Sequence, residues 1–112
     1  MSVNLDVDVH TGPAGTATVV ARGDLDYNTA PAFRAAVTAA LADRPTTLCL
    51  DLAALTFMDS SGIVALLAAH SAAAALGCAL VLDGVTPWLR TRFAITGLDK
   101  VLSLDDPPPA LA

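Results

Sequence analysis

Aromatic residues are scarce in this 112-residue chain, with three phenylalanines, one tyrosine and one tryptophan. That argues against a platform of stacked rings for single-stranded nucleic acid. Positive charge is scarce as well: Arg22, Arg34, Arg44, Arg90, Arg92 and Lys100 are spread thinly against eleven acids, for a net charge of -5. A duplex binder needs clustered cations to displace counterions from phosphates, so nucleic acid is not an expected partner. Only two cysteines are present, Cys49 and Cys78, each inside an apolar run and without metal-ligand spacing. They are expected to be reduced, buried thiols rather than a disulfide scaffold. No uninterrupted apolar run is long enough to span a bilayer, because Gly62 to Leu82, the greasiest stretch, is broken by His70, Ser71 and Gly77. The start, MSVNLDVDVH, has neither the basic opening nor the apolar core of a signal peptide, so a cytoplasmic protein without membrane insertion is expected.

Catalytic signatures are missing too. There is no glycine-rich loop with a lysine to cradle phosphates and no GxSxG elbow. His10 lies in an N-terminal strand pattern and His70 about two turns into a helical one, neither on a strand-end loop where a base would meet a serine. No acids or thiols cluster at ligand spacing. Neither an enzyme nor a metal or other cofactor is expected.

What the chain has in quantity is alanine, 23 residues of it, which favours helix and close packing. The length suits one domain over residues 1–112, with a core over about 3–104. Val3, Leu5, Val7 and Val9 alternate with polar residues, predicting a half-exposed strand. A Thr-Gly-Pro-Ala-Gly turn then leads into TATVVARG, a second strand of a hairpin. Asn28 or Thr29 can cap a following helix, with Pro31 in its first turn and Phe33, Ala36, Val37, Ala40 and Leu41 as its apolar stripe. TTLCLDL reads as a short strand covered on both faces. A second helix begins after Asp59 and stops at Gly77, CALVLDG is another buried strand, and a third helix runs from Thr86-Pro87 to near Gly97. A last strand around Lys100 to Leu104 leads into the proline-rich end, 105–112, expected to fray. The order β-β-α-β-α-β-α-β, with three to four helices, predicts an α/β fold on a mostly parallel mixed sheet with one antiparallel strand.

At the start of the second helix stands TFMDSSGIV, residues 56 to 64. Asp and Ser are the preferred helix caps, worth about 0.5–2 kcal/mol over alanine, and an acid there suits the helix dipole. One cap would suffice, and Asp59, Ser60 and Ser61 offer three candidates. A phosphoryl group on such a serine would bring a charge of about -1.5 to -2 to a helix start whose N–H groups point outward. Neighbouring Asp59, with Asp24 and Asp26 if they lie nearby, would repel it. The expected effect is a local change of surface charge suited to ejecting a partner.

Taken in order, GDLDYNTAPAF, LCLDLAALTFMDSSGIVALL and ITGLDKVLSL resemble the STAS domain, in particular the bacterial anti-sigma-factor antagonists. The resemblance spans about Val3 to Leu104, and its specific part is the DSSG element with the apolar strand before it. It implies a single STAS-like domain acting as a partner switch in sigma-factor regulation. The unphosphorylated antagonist binds an anti-sigma factor, itself a serine kinase of the histidine-kinase ATPase type, and so frees the sigma factor. A PP2C-type phosphatase reverses the modification. Carried onto this chain, the resemblance makes Ser60 the acceptor, Asp59 the acid beside it, and Asp24 and Asp26 the acidic turn nearby. Ser61 and Gly62 shape the helix start, with Gly62 expected to let a partner's backbone come close. Relatives often continue as Gly-Leu-Gly, whereas this chain has Gly62-Ile63-Val64, which puts a β-branched side chain at the second glycine's place. Trp88, Arg90 and Arg92 are candidates for an added contact surface, with Trp88 more simply read as a packing residue. A rival reading is a non-switching STAS scaffold in a stressosome or a membrane transport complex. A hydrolase using Ser60 would instead react with a fluorophosphonate probe.

Overall fold

The computed structural model describes residues 4–102. The alternating apolar residues at the start form β1, Leu5–Thr11, which turns through a short 3-10 segment at Pro13–Gly15 into β2, Thr16–Leu25. Then follow α1 (Ala30–Ala42), β3 (Thr47–Met58), α2 (Ser60–Ala75), β4 (Ala79–Asp83), α3 (Pro87–Thr96) and α4 (Leu98–Leu102). One four-stranded sheet has the order β1-β2-β3-β4. The hairpin pair β1 and β2 is antiparallel, and β2–β3 and β3–β4 are parallel, as crossovers through a helix require. The expected α/β class, with one antiparallel strand on a parallel sheet, is therefore what the chain adopts.

Burial alternates strictly from Thr16 to Ala21 of β2 and along the first half of β3. Val19 pairs with Leu50, and Leu50 with Leu82, so these side chains share the face that carries the core. Phe33 and Val37 of α1, Leu66 and Ala69 of α2, Leu89 and Phe93 of α3, and Leu98 and Leu102 of α4 join them in one buried cluster. The opposite face is only half-covered and carries Arg22, Val20, Cys49 and Asp51. Arg22 there bridges Asp6 at 3.1 Å and Asp8 at 2.8 Å across the β1–β2 pair.

Three expectations change. The strand TTLCLDL is not covered on both faces: a short apolar run cannot distinguish one-sided from two-sided burial, and the structure buries one side fully. β4 is an edge strand with only half-buried Leu80, Val81 and Leu82, not a buried one. The last expected strand is the helix α4 as far as Leu102. Gly97, at φ 78°, ends α3, and the chain then coils so that Leu98 and Leu102, four apart, both reach the core. Val3, the end of that last strand at 103–104 and the expected frayed tail at 105–112 lie outside the described residues.

Both cysteines are free thiols, Cys78 buried and Cys49 half-buried because it points to the open face. Desolvation, then the negative charges of Asp83 and Asp51, push the Cys49 thiol above its ordinary value. Removing a carboxylate should restore thiolate. Alkylation of Cys49 by iodoacetamide at pH 8 is expected to quicken about two- to threefold in an Asp83→Asn variant, followed by intact mass. An unchanged rate would show that the carboxylate does not act on the thiol.

Candidate functional site

β3 is longer than its apolar pattern suggested, reaching Met58. Two register shifts against β2, between Val20 and Arg22 and between Gly23 and Asp24, each give β3 an extra residue. After Leu52 the buried positions therefore step by three, to Leu55 and Met58, and the strand bends as bulged strands do. The bend delivers Asp59 to the carboxyl end of the parallel strands, beside Leu25 at the end of β2. In open α/β sheets this is the edge where binding sites collect.

Asp59 is fastened on both sides. Its N–H donates to the Leu25 carbonyl at 3.3 Å, and its own carbonyl accepts the Ile63 amide at 3.2 Å. Its Oδ1 accepts from the Ser61 amide at 2.8 Å and the Gly62 amide at 3.2 Å, making Asp59 the N-cap of α2. Ser60 is consequently the first residue of the helix, exposed. Among the described residues its hydroxyl makes no hydrogen bond. The helix start is therefore not a free anion cradle, as the sequence led one to expect: Asp59 already occupies two of its amides.

Gly62 is buried, not presented to a partner. A Cβ built there would stand 2.6 Å from Met58 Cγ and 2.7 Å from the Leu25 carbonyl oxygen. Its missing side chain lets α2 close onto the sheet, which corrects the role expected for it.

The acidic turn between β2 and α1 lies against the same edge, since Asp24 pairs with Phe57 and Leu25 with Met58. Asp24 Oδ1 accepts the Thr56 hydroxyl at 3.0 Å. Asp26 Oδ1 accepts the amides of Asn28 at 2.9 Å and Thr29 at 3.1 Å. Asp26 thus orders the entry to α1, and neither Asn28 nor Thr29 caps it by its own side chain. Thr29, 3% exposed, instead sends its hydroxyl to the Asp24 carbonyl at 2.8 Å and pins the turn. Asp26 and Asp59 thus order the entries to α1 and α2, and Asp24 ties the end of β2 to β3.

Two open hollows meet at Ser60. One, of about 470 Å³, lies between the starts of α1 and α2 and is lined by Tyr27, Pro31, Arg34 and Val64. The other, of about 570 Å³, lies between α2 and α3 and is lined by Ile63, Trp88, Arg92 and Ile95. Tyr27 is 78% exposed, Ile95 80% and Val64 55%, so Ser60 sits within a ring of uncovered apolar side chains. Val64, the break in the family pattern, therefore shapes the first hollow. Trp88 packs its body against the core and also walls the second hollow. Tyr27, Arg34 and Ile95 were not singled out by sequence reasoning, because only the tertiary fold brings them beside Ser60.

Neither histidine can reach this serine. His70 is ten residues along α2, a rise of about 15 Å. His10 pairs with Thr18, at the end of the sheet opposite Leu25. Among the described residues no helix is long and apolar enough to cross a membrane.

A family model described as "Mlab, STAS domain" matches residues 11–104. An anti-sigma factor antagonist from Mycobacterium paratuberculosis is 33% identical over 87% of this chain and 81% of its own, with a TM-score of 0.71. The Bacillus cell fate determinant SpoIIAA in its phosphorylated form is 25% identical over 85% of this chain and 86% of its own, with a TM-score of 0.68. A sulfate transporter family protein from Wolinella succinogenes shares the fold at 19% identity, covering 83% of this chain and 75% of its own, with a TM-score of 0.73.

Proposed function

Since the chain belongs to the STAS-domain family and is related to anti-sigma factor antagonists, we propose that it is such an antagonist, switched by phosphorylation of Ser60. The observation that carries this reading is the exposed, unbonded Ser60 hydroxyl at the start of α2, set between two apolar hollows. A hydroxyl so placed is open to a kinase, and the hollows offer an apolar docking surface around it. Without phosphate, the surface binds an anti-sigma factor with a histidine-kinase-type ATPase fold and releases the sigma factor.

In the modification, Ser60 Oγ attacks the γ-phosphorus of ATP. The new O–P bond forms as the bond to the β–γ bridging oxygen breaks, ADP leaves, and the serine proton passes to a base of the kinase. Asp59 is occupied as the cap of α2, its Oδ1 accepting the Ser61 and Gly62 amides. A PP2C-type phosphatase returns the hydroxyl by hydrolysis. Asp24, Asp26 and Asp59 keep the acceptor loop in shape and make the surroundings hostile to the added charge. The existence of SpoIIAA in a phosphorylated form supports a phosphorylated state for a relative of this chain.

Incubation with the cognate anti-sigma kinase and ATP, followed by mass-spectrometric mapping, is expected to place one phosphate on Ser60 and none on a Ser60→Ala variant. Phosphate found only at another residue, or none, would remove the Ser60 assignment. A second reading is a STAS subunit of a membrane transport complex, since a sulfate transporter family protein has the same fold. Such a subunit would copurify with a membrane assembly from native cells regardless of the state of Ser60.

A further inference from the structure

The phosphate proposed for Ser60 needs a counter-charge, and the helix start does not supply one. Asp59 already takes the amides of Ser61 and Gly62, and its carboxylate would stand beside the new dianion. Asp24 and Asp26 add two more negative groups on the neighbouring turn. Cations come from elsewhere: Arg34 on α1 lines the first hollow with Ser60, and Arg92 on α3 lines the second with Ser60. Arg22, by contrast, is engaged by Asp6 and Asp8 on the open face of the sheet. Among the described residues no carboxylate pairs with Arg34 or Arg92. On a chain of net charge -5, two available guanidinium groups on opposite sides of one exposed serine make that serine's surroundings unlike the rest of the surface.

Resting on the reading of Ser60 as the acceptor, we propose that Arg34 and Arg92 bracket the phosphoryl group and hold it against the surrounding carboxylates. Guanidinium groups suit this task, because their planar forks donate paired hydrogen bonds to phosphate oxygens. The consequence is a switch with two parts. Phosphorylation adds negative charge at Ser60, and it also turns two arginines inward that in the unmodified protein face whatever docks in the hollows. A partner with carboxylates opposite Arg34 and Arg92 loses both attractions in the same step.

The test needs no kinase, so its failure is separable from failure of the acceptor assignment. Phosphoserine is installed at position 60 during translation, and its second ionisation is followed by phosphorus NMR against pH. An adjacent cation favours the dianion, so the titration midpoint of the phosphorylated protein should rise when a bracketing arginine is removed. Arg34→Gln or Arg92→Gln is expected to raise it by about 0.2–0.7 pH unit, with the difference shrinking in 1 M salt. Arg44→Gln, just beyond the far end of α1, should leave it unchanged. Unmoved midpoints in both Arg34→Gln and Arg92→Gln would overturn the proposal. An equal rise in Arg44→Gln would overturn it too, by showing an effect of net charge alone. Both arginines are exposed, so the variants keep the fold.

Discussion

Replacing Gly62 with alanine is expected to lower the melting temperature by about 5–15 °C, the equivalent of about 1–3 kcal/mol in a domain of this size. Two effects oppose each other. Alanine is the better helix former, by about 1 kcal/mol over glycine in a helix interior. Against that, the added methyl would stand 2.7 Å from the Leu25 carbonyl oxygen and 2.6 Å from Met58 Cγ. Met58 has a flexible chain, but it is fully buried, and close-packed interiors leave such a chain little room to give way. The Leu25 carbonyl is backbone at the end of β2 and already receives the Asp59 amide, so it cannot swing aside without loosening the cap. Overpacking against fixed backbone should therefore outweigh propensity. Displacing the first turn of α2 also moves Ser60, so the variant should be a poorer kinase substrate in proportion to its loss of order. Thermal unfolding followed by circular dichroism decides the point. A melting temperature equal to or above that of the wild type would mean that the helix start has room, and that Gly62 is there for a partner after all.

The Gly62 case marks where the sequence stops being legible. Local periodicity carried the hairpin, the run of α1 from Phe33 to Leu41, the start of α2 after Asp59 and its stop at Gly77, because those depend on neighbours along the chain. β3 was only half visible. Two bulges changed its inward spacing from every second residue to every third, and no pattern of fixed period describes such a strand. α4 was not legible because the stretch Lys100 to Leu104 taken by itself suggests a short last strand, while Leu98 and Leu102 have the four-residue spacing of a helix face. At the site, DSSG was legible as the entrance to a helix, whereas Ser60 stood out from Asp59 and Ser61 only through the resemblance to the antagonists. Which residue caps, and which side chains surround it, required the third dimension. Asp59 takes the cap and leaves Ser60 unbonded. Asp26 shapes the entry to α1 by accepting amides, although Asn28 and Thr29 looked like the caps. Tyr27 and Arg34 read as an ordinary turn residue and an ordinary helical surface residue until α1 and α2 were placed side by side.

The same placement separates fold from switching in a Ser60→Asp variant, for which binding should fall while stability holds. Ser60 is exposed and begins α2, where a negative side chain meets the positive end of the helix dipole. The melting temperature should therefore stay within a degree or two of wild type, since surface changes of this kind are usually worth no more than about 0.5 kcal/mol. Affinity for the anti-sigma kinase should fall by about 10- to 100-fold, or about 1.4–2.8 kcal/mol. The loss has two sources: a new charge must be desolvated at the centre of the docking ring formed by Tyr27, Val64 and Ile95, and any partner carboxylate nearby meets repulsion. Ser60→Ala, which removes the acceptor without adding charge, should bind as tightly as the unmodified protein and stay bound in the presence of ATP. Isothermal titration of the three proteins against the kinase, with melting curves for each, separates the outcomes. Equal affinity of Ser60→Asp and wild type would end the charge-ejection mechanism. Weakened binding by Ser60→Ala as well would assign the loss to the missing hydroxyl, because exclusion by charge requires that only the acid be rejected.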